Sequence, residues 1–142
     1  MGVKLTLELD QMSNRFELFG LQALNDLQRV FREAKFCRLA DDEEISDSPR
    51  VAALYEELMV ALIARDVAEN GEGERANWTR WLATSDQRDE WKIAQERVRA
   101  HSAWRNYTVS KKTEYATVLL SPFTLTSETA QLFISQTDAY HR

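Results

Sequence analysis

Glu90, Arg97 and His101 lie seven and four residues apart in a stretch where Trp91, Ala94, Val98 and Trp104 recur at helical spacing. A helix over about 86–105 turns Ile93, Ala94, Val98, Ala100 and Trp104 to one half of its circumference, and the three ionisable residues fall inside that half. A carboxylate, a guanidinium and an imidazole on one face can bind a polar group or exchange a proton with it. They can equally form a satisfied structural network, with Arg97 bridging Glu90 or His101 and its stem packed on Trp104. Three ionisable residues on an apolar face break the expected pattern, and such breaks mark function or a buried network.

The four tryptophans, Trp78, Trp81, Trp91 and Trp104, share one window with Arg75, Arg80, Arg88, Lys92, Arg97, Arg99 and Arg105. Trp and Arg together anchor protein interfaces, and basic residues with aromatics also track nucleic acid. Charge separates the two readings. Residues 41–74 carry 2 basic and 11 acidic side chains, and residues 75–112 carry 9 and 4. That excess is below the basic footprint of a nucleic-acid domain, so nucleic acid is not the expected partner. The two blocks can neutralise each other within the fold, or the acidic one can meet a basic partner surface and steer its approach. Glu56, Glu57 and Asp66, with Trp78 and Trp81, are the candidate partner-binding residues.

Other chemistry is poorly supplied. Cys37 and His101 supply a thiol and a base, but Cys37 sits on an apolar helical arc, where a thiol packs as a small hydrophobe. The 4 glycines, at positions 2, 20, 71 and 73, cannot assemble a phosphate loop or a dinucleotide fingerprint. The 2 histidines, His101 and His141, with 1 cysteine, build no standard zinc constellation. The run from Asp41 to Asp47 lacks the glycine and ligand spacing of a calcium loop. We therefore expect no cofactor, no metal and no catalytic residue.

The elements that must position these residues follow from periodicity and caps. Val3, Leu5, Leu7 and Leu9 alternate with polar residues, the pattern of a half-buried strand. Asn14 and Glu17 have capping-box spacing ahead of Phe16, Phe19, Ala23, Leu24, Leu27, Val30, Phe31, Ala34 and Cys37, which predicts a helix over about 14–39. Gly20 on that arc would let another helix approach. Ser48 and Pro49 start a second helix that ends at Asn70-Gly71. A short helix is predicted over 75–83, the longer one over 86–105, and a third helical stretch over 127–140. Tyr107 to Val109 and Thr113 to Leu120 favour strands. The expected fold is α+β, mainly helical with about four or five helices, and a small antiparallel sheet or hairpin drawn from residues 3–9 and 107–120.

The chain has 142 residues, 18 basic against 23 acidic, with 44% hydrophobic and 29% charged residues. That is the profile of one soluble globular domain, here spanning 1–142. The longest apolar run, Leu58 to Ala64, is far below the roughly 20 residues of a membrane span. The first ten residues mix charged and apolar side chains, so no secretory signal is expected. With a lone cysteine the expected compartment is the cytoplasm. We expect a small acidic, non-enzymatic protein-binding module, of which an inhibitor or immunity-type protein is one version. The alternative is an enzyme or small-molecule-binding domain with its polar site at Glu90, Arg97 and His101. A further alternative is a structural subunit, with the N-terminal strand pairing with its twin in a homodimer.

Overall fold

The computed structural model describes the backbone of residues 4–8, 15–38 and 43–140, and the side chains of residues 18–38 and 44–140. Val3, Leu9, Asn14, Asp41 and Asp42, used in the reading above, lie outside the described residues. The order of elements is β1 (Lys4–Glu8), β2 (Arg15–Phe19), α1 (Leu21–Lys35), α2 (Pro49–Asn70), α3 (Gly73–Leu82), α4 (Asp89–Ala100), α5 (Val109–Leu120) and α6 (Ser127–Ala139), with 3-10 turns at Glu43–Ile45 and Ser102–Asn106. The protein is mainly helical. Among the described residues no helix is long and apolar enough to cross a membrane.

The caps explain the helices that match expectation. The Ser48 hydroxyl accepts the Val51 N–H at 3.2 Å, and Pro49 follows at the first helical position of α2. Gly71, at φ +103°, closes α2 with its N–H on the Val67 carbonyl. Thr126 and Thr129 form a reciprocal capping box that starts α6.

Three expectations need correction. Residues 107–120 supply no strand: Val109–Leu120 is α5, so the expected α+β sheet shrinks to a hairpin of β1 with β2. The Thr108 hydroxyl accepts the Lys111 N–H at 3.1 Å, and Ala116, Leu119 and Leu120 are buried at helical spacing. Thr113 and Thr117 donate their hydroxyls to the carbonyls four residues back, so β-branching is accommodated in the helix. Second, Arg15–Phe19 is β2, not the start of a helix. It runs antiparallel to β1 with Leu5 opposite Leu18 and Leu7 opposite Phe16. Gly20 ends it at φ +90°, with nothing within 4 Å of its would-be Cβ; the glycine serves the turn, not a close helix contact. Third, the helix predicted over 86–105 stops at Ala100, because His101 is extended and opens the 3-10 turn.

Two larger apolar clusters and a smaller third fill the described interior. Leu24, Tyr55, Leu58, Met59 and Leu62 join α1 to α2, with Trp78 and Trp81 of α3 against them. Trp91, Val98, Trp104, Leu119, Leu120 and Phe133 join α4, α5 and α6. Phe36, Ile93 and Phe123 lie between, touching Trp81 and Leu82. The Arg88 guanidinium stands 4.3 Å from the Phe123 ring centroid and donates to the Trp81 carbonyl, closing the same seam.

A buried lysine crosses that seam. Lys35, 1% exposed, ends α1 and donates from Nζ to the carbonyls of Val118 (2.7 Å) and Ser121 (2.8 Å) at the end of α5. The single Ser121 Oγ–H proton is shared between Glu56 Oε1 (3.0 Å) and the Ala52 carbonyl (3.3 Å) of α2. The last carbonyls of a helix lack intrahelical partners, and Lys35 supplies two donors for them. Burial pushes the Lys35 amine down to about 7 from 10.5, against the raising effect of Glu56.

Stability should therefore climb with pH. Below about 7 the lysine is charged folded and unfolded; from there to 10.5 the unfolded chain binds a proton that the fold does not. The slope from this group is at most about 1.4 kcal/mol per pH unit. Above 10.0 the trend reverses, because burial keeps Tyr55 and Tyr115 protonated in the fold while unfolded tyrosines ionise. Urea midpoints measured from pH 6 to 11 should rise and then fall, and Lys35→Met should lose the rising limb. An unchanged rise in Lys35→Met would contradict this assignment.

Candidate functional site

The five candidate partner-binding residues divide between two places. Asp66 lies nine residues beyond Glu57 on α2, two and a half turns, and so on the opposite side of the helix. Glu57 is exposed; Glu56 is exposed and tied to Ser121 at the Lys35 junction. Asp66, Trp78 and Trp81 come together in an open groove between α1, α2 and α3, with a volume of about 300 Å³. Gln28 and Arg32 of α1 and Glu74 and Asn77 of α3 complete its walls.

The groove is held by hydrogen bonds to one buried carboxylate. Asp66 Oδ2 accepts the Trp78 indole N–H at 2.7 Å, and Oδ1 accepts Asn70 Nδ2 at 2.6 Å. Both donors are neutral, and between them they satisfy both carboxylate oxygens against apolar helix surface. Trp78 meets Trp81 edge to face, 5.5 Å between centroids and 82° between planes. Trp81 also leans on Phe123 at 5.2 Å, which fixes its ring across the seam. On the α1 wall Gln28 is buried and accepts the Tyr55 hydroxyl at 3.1 Å. Arg32 holds its guanidinium 6.0 Å from the Trp81 centroid.

The other candidate set, Glu90, Arg97 and His101, is half-buried as its helical phase requires, but it does not converge. Glu90 sits near the start of α4 and faces Arg88 at 3.8 Å, and its charge reaches Tyr55. Arg97 and His101 line a separate cleft of about 250 Å³ with Arg38, Asp47, Glu96 and Tyr115. His101 stacks on Tyr115 (4.7 Å, 13°), and its Nε2 lies 2.9 Å from the Tyr107 hydroxyl. The Tyr115 hydroxyl donates to Asp47 at 3.2 Å, and burial with that carboxylate keeps it protonated beyond the usual tyrosine range. Arg97 Nη2 donates to the Cys37 carbonyl, and Arg38 pairs with Glu96 at 3.5 Å. The cleft's polar groups thus mostly serve one another. Cys37 is half-buried beyond the end of α1.

Some residues of the groove escaped the sequence reading. Gln28 of the groove, like Lys35 of the α1–α5 junction, lies within about 40° of Leu24 around α1, four and eleven residues on respectively, and this spacing carried the signal of their burial. Glu74 was visible only as one member of the acidic block, and Arg32 gave no signal, since helix phase does not show which charges border a groove. Among the described residues no three His, Cys, Asp or Glu side chains are grouped to hold a metal ion.

Asp66→Asn should lower stability by about 1–3 kcal/mol, since its new amide turns a donor toward a donor. Trp78→Phe should then cost less in Asp66→Asn than in the parent chain. Urea titration of the double-mutant cycle tests this; additivity within about 0.5 kcal/mol would refute the Asp66–Trp78 coupling.

Comparison of the chain with known protein families, curated proteins and solved structures finds no match.

Proposed function

We propose that this protein is a small protein-binding module that takes a basic side chain of its partner into the groove of Asp66, Trp78 and Trp81. The observation that carries the reading is the pairing of a buried carboxylate with two half-buried indole rings in an open groove. Tryptophan faces attract guanidinium and ammonium groups, and Arg32 and Arg88 already stand over Trp81 within 6.0 Å. Asp66 and Glu74 supply negative charge on the same groove. The Trp81 indole N–H makes no hydrogen bond among the described residues and is available to a partner carbonyl. Tryptophan anchors in partly desolvated pockets are where interfaces concentrate their binding energy. If the basic group belongs to the partner's active site, docking inhibits it.

The cleft at Arg97 and His101 supports a small-molecule site less well, because its charges and rings are engaged within the chain.

A short peptide with one arginine between glycines is a sufficient probe. Its titration should change the tryptophan emission, weaken as salt rises, and lose about tenfold in affinity in Glu74→Lys. Glu57→Lys, on the far side of α2, should bind as the parent does. Equal losses in both variants would reduce the effect to general charge, and no emission change would remove the groove from the function.

A further inference from the structure

A second groove, of about 670 Å³, runs between α4 and α6. Its α4 wall carries Lys92 and Arg99, seven residues or two turns apart, hence roughly 10 Å along the helix. Both are exposed, and neither forms an ion pair among the described residues. Between them Glu96 is already paired with Arg38. The Arg99 guanidinium lies 3.4 Å from the ring centroid of Tyr140, which is itself 60% exposed. A cation already resting on a ring has less freedom to lose on binding.

The floor adds directional groups. Gln136 Oε1 accepts both the Trp91 indole N–H (2.9 Å) and Gln95 Nε2 (3.0 Å), while Gln136 Nε2 donates to Asp86 at 3.3 Å. This leaves the carbonyl oxygen of Gln95, a residue 6% exposed, without a donor among the described residues. An amide carbonyl that opens on a groove suits a backbone N–H.

We propose that this groove is a second docking site, for an extended acidic segment of a partner protein whose two carboxylates stand three residues apart. In the polyproline II conformation an extended chain advances about 3.1 Å per residue with three residues per turn, so residues three apart share one side at about 9 Å, close to the roughly 10 Å between Lys92 and Arg99. The backbone N–H between the two acidic residues meets the Gln95 carbonyl. A nucleic acid fits less well, because its closely spaced phosphates would lie against Glu96 and Asp86, which border the same groove.

Fluorescence anisotropy of a labelled Glu-Ser-Ser-Glu peptide tests the site on the full chain. It should bind at about 1 mM or tighter. Replacement of both glutamates by glutamine, or Lys92→Ala or Arg99→Ala in the protein, should each weaken binding by about fivefold or more. Arg105→Ala, an exposed arginine outside the groove, and Glu74→Lys, in the other groove, should leave it unchanged. No binding, an equal loss in Arg105→Ala, or tighter binding of a labelled single-stranded oligonucleotide displaced by the same substitutions would overturn the proposal.

Discussion

The fold depends on Lys35. Its side chain leaves the end of α1, crosses the seam between the two larger apolar clusters, and donates to two carbonyls at the end of α5. Ser121 continues the junction to Ala52 and Glu56 of α2, so three helices meet at one amine. A cation is favoured at a helix C-terminus, yet burial disfavours its charge. Here burial prevails and brings the amine down to about 7, where a neutral amine still has the two N–H groups that the two carbonyls need. Removing one partner would leave buried polar groups unsatisfied, which is why this small junction governs how the halves sit.

That placement decides what the four tryptophans do. In the α4–α6 half, Trp91 and Trp104 are fully buried, and their indole N–H groups are held by Gln136 and Asp138. In the α1–α3 half, Trp78 and Trp81 are half-buried and border a groove. The first pair is core; the second covers the core on one side and lines the groove on the other. Trp81 reaches Phe123 across the seam, so the angle of the groove wall follows from the junction that Lys35 sets.

Local signals in the sequence were legible wherever caps and apolar period agreed. Ser48-Pro49 and Gly71 bound α2, and the helical stretches over 75–83 and 127–140 correspond to α3 and α6. Where propensity and period conflicted, propensity misled: Thr113, Thr117 and Val118 favour strands, but the burial of Ala116, Leu119 and Leu120 required a helix. At residues 15–19 the error ran the other way, because Phe16 and Phe19 fit a helical arc while the backbone pairs with β1. The half-burial of Glu90, Arg97 and His101 was readable from phase, but their separation was not, since His101 lies beyond the helix end. Of the groove, Asp66, Trp78 and Trp81 were visible by residue type. Glu74 was visible as part of the acidic block, but its place in the groove, like that of Arg32, depends on how three helices pack, which no local spacing encodes.

The indole N–H resonances in a proton–nitrogen correlation spectrum separate the two tryptophan pairs, because each indole reports its own location. On addition of an arginine-bearing peptide, Trp78 and Trp81 should shift while Trp91 and Trp104 stay put. Shifts confined to Trp91 or Trp104, or no shift at any indole, would place binding outside the groove.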